Sequence, residues 1–323
     1  MKRLLLCCVY LLTSIVLIPC AGEARDELPV IIVTIKPLHA IVQQIVRDDA
    51  TIIRLVPDGQ SPSEIALSPQ QVMQLEQADA VVMMDRALEP AMMPFASDDE
   101  HRHKVAVMSM IRTLKILPAR DAWMRIDDPS HGFFKSKQNP FDHDPYMWLD
   151  VRNQHLMMGY IAEFLGMKLP QHRAIFLKRA RKAQKRLEGL DKEIETKIEP
   201  LKNYPFMMVH DVLHYFENRY GVKSMGSIDL ASLSVTPIQK DRVQMVLAKH
   251  KVQCVVYPQG AYEDTILTMI GTYPKRTFAA IDIFGYDVPL NDTFFPQLMH
   301  NLVDVLTPCL RANPKPARSP KQS

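Results

Sequence analysis

Val30-Ile31-Ile32-Val33-Thr34-Ile35-Lys36-Pro37-Leu38 is the stretch from which the fold follows. Six consecutive β-branched residues, 30–35, show no apolar/polar alternation. That pattern suits a strand covered on both faces, and such strands belong to parallel sheets. Pro37 then opens a stretch in which Leu38, Ile41, Val42, Ile45 and Val46 recur at helical spacing, and a second strand is expected over Thr51 to Val56. The unit is β-α-β. It continues with a helix starting at Ser68-Pro69 and carrying Met73 and Leu75, a strand over Asp79 to Met84 and another over Lys104 to Met108. Together these predict one α/β lobe.

The same grammar returns after Pro205. Strands are expected at Phe206 to Val209, Val222 to Ser224, Gln253 to Tyr257 and Phe278 to Ile281, alternating with helices near Leu213, Val243, Ile266 and Leu298. Between the two blocks Phe176, Ala180, Ala183, Leu187, Leu190, Ile194 and Ile198 recur in steps of three and four within a charged background. One amphipathic helix of about 25 residues, roughly 37 Å long, fits that spacing. The expected architecture is therefore α/β: two α/β lobes with parallel-type sheets joined by one long rigid helix, with a ligand cleft between the lobes. The expected boundaries are a signal peptide at 1–24, an N-terminal lobe at 25–170, the linking helix at 171–200, a C-terminal lobe at 201–311 and a disordered tail at 312–323. The segment Asp121 to Asp144 reads as a long loop.

Composition removes several function classes. The chain has 323 residues and only 11 glycines, the closest pair being Gly221 and Gly226. No G-x-G-x-x-G, G-x-x-x-x-G-K or G-x-S-x-G can be written, so dinucleotide, P-loop and nucleophile-elbow chemistry are disfavoured. A formal net charge of +3 gives no argument for nucleic acid.

The N-terminus reads as a secretory signal, with Lys2 and Arg3 before an apolar run from Leu4 to Ile18 and small residues at Ala21, Gly22 and Ala24. The run is shorter than the roughly 20 residues that a spanning helix needs. A lipoprotein signal with Cys20 as the lipidated residue is the alternative, and Pro19 directly before it argues against that. A periplasmic location is expected. Beyond the leader only Cys254 and Cys309 remain. An oxidising compartment makes them a disulfide pair; two buried thiols are the other possibility.

Ligands of paired α/β lobes generally bind outside the carboxyl ends of the strands. Those positions hold Pro57-Asp58-Gly59-Gln60-Ser61-Pro62-Ser63-Glu64, then Asp142-His143-Asp144-Pro145-Tyr146-Met147-Trp148-Leu149, then His210-Asp211-Val212-Leu213-His214, and finally Asp282 with Gly285. Imidazoles and carboxylates at matching strand ends suit a metal or a small polar ligand.

From about Val30 to Leu310 the chain resembles the zinc- and manganese-type substrate-binding proteins of bacterial ABC uptake systems (cluster A-I, ZnuA-type). The marks are Ile35-Lys36-Pro37-Leu38, Val56-Pro57-Asp58-Gly59, Leu67-Ser68-Pro69, Asp144-Pro145-Tyr146-Met147-Trp148-Leu149, His210-Asp211 before Tyr215-Phe216, and Ile281-Asp282-Ile283-Phe284-Gly285. The resemblance implies capture of a divalent metal between the lobes, zinc first and manganese or iron as alternatives. It implies delivery to a membrane permease by a non-enzymatic, monomeric binding protein. It also implies the Cys254–Cys309 disulfide.

Carried over residue by residue, the implied metal ligands are His210 and Asp282, with Tyr146, Ser63 or Glu64 completing the shell. Ser63 and Tyr146 stand where the family has histidines. A serine hydroxyl is a poor Zn²⁺ ligand, and a phenol ligates well only after losing its proton. A second reading keeps the fold and gives the cleft another ligand or a partner protein. A third is a metallohydrolase, because His210 and His214 have the i, i+4 spacing of a zinc-binding helix.

Overall fold

The computed structural model describes residues 28–120, 143–228, 237–249, 251–260, 266 and 276–312. The expected signal at 1–24, most of the expected loop 121–144, most of the helix expected around Ile266 and all but the first residue of the tail at 312–323 lie outside the described residues.

The N-terminal lobe contains β1 (Val30–Val33), α1 (Lys36–Val46), β2 (Thr51–Arg54), α2 (Pro69–Gln77), β3 (Ala80–Met83), α3 (Met93–Ser97) and β4 (Val105–Val107). Its strands are all parallel in the order β2-β1-β3-β4. Ile31, Ile32 and Val33 are fully buried, as an unbroken β-branched run in a central strand requires. Pro37 sits in the first turn of α1, where its missing N–H costs nothing. At α2 the Ser68 hydroxyl accepts the Gln71 N–H while the Gln71 side chain accepts the Ser68 N–H, a reciprocal cap that fixes the helix start.

Two long helices follow, α4 (Val151–Lys168) and α5 (Arg173–Ile198). The C-terminal lobe contains β5 (Phe206–Val209), α6 (His214–Tyr220), β6 (Ser224–Ile228), α7 (Pro237–Lys249), β7 (Cys254–Pro258), β8 (Thr277–Ile281) and α8 (Phe294–Arg311). Its sheet is again all parallel, in the order β6-β5-β7-β8. The strand expected at Val222 to Ser224 instead begins at Ser224 and runs to Ile228. The left-handed Gly221 ends α6, and the Glu217 carboxylate takes the Ser224 N–H, so regular pairing starts two residues later than the apolar Val222 suggests. Ser-Met-Gly-Ser carries no strand pattern of its own.

Helix α5 buries the seven residues whose spacing predicts it: Phe176, Ala180, Ala183, Leu187, Leu190, Ile194 and Ile198. It packs against α4, α1 and α8, so it touches elements of both lobes. One apolar cluster accordingly runs from Ile31 through α5 to Leu310. Each sheet turns its other face to a smaller local core, built on Ile32, Val81 and Leu75 in the first lobe and on Met207, Val255 and Val243 in the second. A spine sharing one core with both lobes resists wide hinge motion. Cys254 of β7 and Cys309 of α8 form the expected disulfide.

Candidate metal centre

The carboxyl ends of both sheets meet in one region. From the second lobe, β5 delivers His210, which lies outside the helix that follows: its φ is +63°, and α6 starts only at His214. From the first lobe, the turn ahead of α4 delivers Tyr146, which is 8% exposed. The Tyr146 hydroxyl and His210 Nε2 are 2.9 Å apart, and the two rings meet edge to face at 6.0 Å. This pair joins the lobes across 64 positions of sequence.

Trp148 brings the third strand end into the same place. Its indole N–H donates to Ile283 O at 2.7 Å, its ring lies 5.3 Å from that of Phe284, and it is fully buried. Tyr146 in turn meets Trp148 edge to face at 5.5 Å. The loop that carries Asp282 is thereby joined, through Ile283 and Phe284, to the turn that carries Tyr146. One Asp282 oxygen accepts the Phe284 and Gly285 N–H groups at 3.1 and 2.7 Å, and the other accepts the Asp287 N–H at 3.1 Å. The carboxylate thus shapes its own loop, and its remaining lone pairs are the only donors it could offer a cation.

Ser63 and Glu64 are less closely engaged. Both are exposed. The Ser63 hydroxyl lies 2.9 Å from that of Ser61. Their loop is pinned nearby through Asp58, which pairs with Arg54 at 2.9 Å and with the buried Lys36 ammonium at 3.6 Å. Lys36 also donates to Tyr286 O across the lobes at 2.7 Å. Burial, with the Asp282 charge adding to it, pushes the Tyr286 phenol up to about 12.

Two other histidines lie beside carboxylates. His214 Nδ1 lies 3.6 Å from Asp144 Oδ2, and burial raises the Asp144 carboxyl despite that neighbour. His210 and His214 do not share a helix, so the i, i+4 geometry that a zinc hydrolase needs is absent. His143 Nε2 lies 2.7 Å from the buried Asp85. Burial raises the Asp85 carboxyl, but the hydrogen bond from Ser109 and the His143 charge outweigh it, and the net shift is downward.

A third histidine, His39, lies in α1. Its Nδ1 is buried without a hydrogen-bond partner, and burial together with the Arg54 charge lowers its pKa to about 4.

Among the described residues, the one group of three His, Cys, Asp or Glu side chains whose ligand atoms lie within 4.8 Å of one another is Asp98, Glu100 and His101. His210, Asp282 and Glu64 do not converge in that way. The inter-lobe contact itself brings together one imidazole and one phenol, His210 and Tyr146, while the Asp282 carboxylate stays engaged with its own loop. That donor set is harder than a three-histidine site and suits oxygen-preferring divalent ions better than a soft one.

Sequence reasoning missed the residues that fasten the lobes beside this site. The Arg120 guanidinium binds both oxygens of Asp211, through Nε at 2.6 Å and through a second nitrogen, and pairs with Glu217 at 2.6 Å. Tyr215 donates to Asp144 O and accepts the Leu117 N–H, both at 3.0 Å. Arg120 lies in a loop with no local signal, 91 positions from its partner. Lys36 could have been noticed as the first cation after β1.

Comparison with known proteins agrees with this architecture. Residues 31–307 match the model of the family described as "ZnuA: Zinc-uptake complex component A periplasmic". The "High-affinity zinc uptake system protein ZnuA" of Brucella abortus (strain 2308) is 24% identical over 319 residues, covering 90% of this chain and 94% of that protein. The protein of the same name from Haemophilus ducreyi is 24% identical over 292 residues, covering 87% and 93%. Among solved structures, "Crystal structure of ZnuA" superposes with a TM-score of 0.69 at 17% identity, covering 88% of this chain and 99% of the other. The "SBP FpvC in complex with Ni2+ ion from P.aeruginosa" superposes at 0.66 with 17% identity, covering 88% and 96%.

Proposed function

The chain belongs to the ZnuA family of periplasmic zinc-uptake components, and from that membership we propose that it captures a divalent metal between its lobes and hands it to the membrane permease of an ABC uptake system. The observation that carries the reading is the meeting of Tyr146 and His210 across the cleft at 2.9 Å, with the Asp282 loop held against the same turn by Trp148. His210 Nε2 and an Asp282 oxygen are the first ligands. The Tyr146 oxygen is the third, and it ligates as the phenolate. Ser63 and Glu64 belong to the loop that borders the site and complete the shell when that loop closes on the ion. Zinc is the first candidate, with manganese or iron as alternatives for a set containing two oxygen donors. The family is described as periplasmic, and the basic and apolar residues at 1–24 are the export signal of this reading. The protein works as a monomeric binding protein and not as an enzyme.

Calorimetric titration of the metal-stripped mature protein with Zn²⁺ and Mn²⁺, beside His210→Ala, tests it. Tight binding that weakens in the variant is the expected result. Binding no tighter than millimolar, unchanged by His210→Ala, would sink the metal reading. It would favour a second one, for which a specific observation speaks: a single imidazole in the cleft is a thin basis for high affinity. In that reading the same polar, aromatic cleft takes another small ligand or a partner protein.

A further inference from the structure

His210 follows β5 in the left-handed region, at φ +63°, where a residue with a side chain is uncommon. No glycine relieves the turn: the sequence from 206 to 214 is Phe-Met-Met-Val-His-Asp-Val-Leu-His. A conformation of this kind persists only where its surroundings over-determine it. The neighbour that does so is Asp211, whose carboxylate is clamped by the Arg120 guanidinium in a two-pronged ion pair. Such a fork fixes direction as well as distance, which a lysine's single ammonium does not. Arg120 reaches Asp211 from the first lobe, and its third nitrogen is anchored on Glu217 of α6, a residue with only 4% of its side chain exposed. The clamp is therefore tied to the helix behind the loop as well as to the loop itself. Together with the Tyr146 contact, the first lobe grips the 210–211 turn at two successive side chains.

We propose that Arg120 is the positioning residue for His210: it holds Asp211, sets the left-handed turn, and couples the seating of the imidazole to the approach of the two lobes. The proposal rests on the reading of His210 as a ligand. When the lobes separate, the guanidinium leaves Asp211, the turn loses its constraint and the imidazole loses its ligating posture. When they meet, the ligand is assembled from both sides at once.

The test uses the mature chain with Arg120→Ala made together with Glu217→Gln, so that α6 keeps no unpaired buried carboxylate, and with Asp211→Asn and Arg120→Lys separately. Zn²⁺ titration should show affinity about 10- to 100-fold weaker in the double variant and in Asp211→Asn, the range typical for residues that orient a metal ligand. Arg120→Lys should recover part of it. Thermal unfolding of each metal-free variant verifies that the fold survives. A second arm needs no metal: the imidazole resonance of His210, identified by its absence in His210→Ala, should shift in the metal-free double variant and return toward its original position in Arg120→Lys. An unmoved His210 resonance in a folded double variant overturns the proposal, as does unchanged Zn²⁺ affinity in protein whose binding His210→Ala abolishes. If the unaltered chain binds Zn²⁺ and His210→Ala leaves that binding intact, the ligand reading fails, while the resonance arm still judges the positioning of His210.

Discussion

The Tyr146 hydroxyl sits 2.9 Å from His210 Nε2, at a place where the resemblance calls for a second imidazole. The contact joins the lobes through one hydrogen bond and puts a phenol oxygen beside the imidazole nitrogen. Replacing Tyr146 by histidine therefore tests how much of a zinc site the scaffold still carries. Tyr146→His should raise Zn²⁺ affinity by about tenfold or more, equal to about 1.4 kcal/mol, and should raise the preference for Zn²⁺ over Mn²⁺. Calorimetric competition between the two ions reads both effects. Equal or weaker Zn²⁺ binding in the variant would mean that the surrounding strand ends do not converge on an ion.

Gly285 shapes the loop that holds Asp282. Its φ is +72°, its N–H donates to Asp282 at 2.7 Å, and a Cβ added there would come within 2.5 Å of the buried Phe294 ring. Gly285→Ala should destabilise the protein by about 2–4 kcal/mol, combining the left-handed penalty with overpacking. Chemical denaturation measures the loss. A variant as stable as the original would show that the Asp282 loop has a relaxed alternative.

Two buried groups give stability an opposite dependence on pH. Burial raises the Glu89 carboxyl to about 7, against the hydrogen bonds it accepts from Thr34, Asp85 and Met84. Above an ordinary carboxylate value the folded form holds a proton that the unfolded chain has released, so this group lowers stability as pH rises from about 4.5 to 7. A glutamine can keep the same partners without the charge. Glu89→Gln should hold or gain stability at pH 8 relative to the original and lose that advantage at pH 5, as thermal melts across the range will show.

His39 works the other way. With its pKa lowered to about 4, the folded protein refuses a proton that the unfolded chain accepts below about 6.5. Stability should fall as pH drops from 6.5 toward 4, and His39→Leu should flatten that slope while leaving melts at pH 8 nearly unchanged. An unaltered acid slope in the variant would assign the loss to other groups.

The Cys254–Cys309 bond spans 55 positions. In the chain-entropy account a loop of that length is worth about 4 kcal/mol. Cys254→Ala with Cys309→Ala should show roughly that drop in denaturant unfolding, with most of the metal affinity retained, because β7 and α8 hold the lobe's core and none of the proposed ligands. Loss of metal affinity in a folded variant would show that the lobe's shape at Asp282 depends on the bond.

The periodic features were legible because their causes are local. An unbroken β-branched run at 30–35 and steps of three and four from Phe176 to Ile198 state which faces must be covered; the helix buries all seven residues of its stripe, and the strand forms over Val30–Val33, two residues shorter than the run. Where the local signal was weak the reading slipped: Ser224–Ile228 has no strand pattern, and its place in the sheet comes from β5 beside it and from the Glu217 cap. His214 looked available at one turn beyond His210, yet the left-handed turn breaks the helix register between them.

Apolar periodicity and chain order are enough to specify two parallel α/β lobes, the helix that spans them, and two cysteines beyond the leader with only each other to pair with. Which groups meet between the lobes follows from the packed fold instead: Tyr146 with His210, Trp148 with Ile283, Arg120 with Asp211. These pairs are separated by 64, 135 and 91 positions. Their contact depends on how one shared core docks the lobes, a sum over many weak apolar contacts that no single stretch of residues encodes.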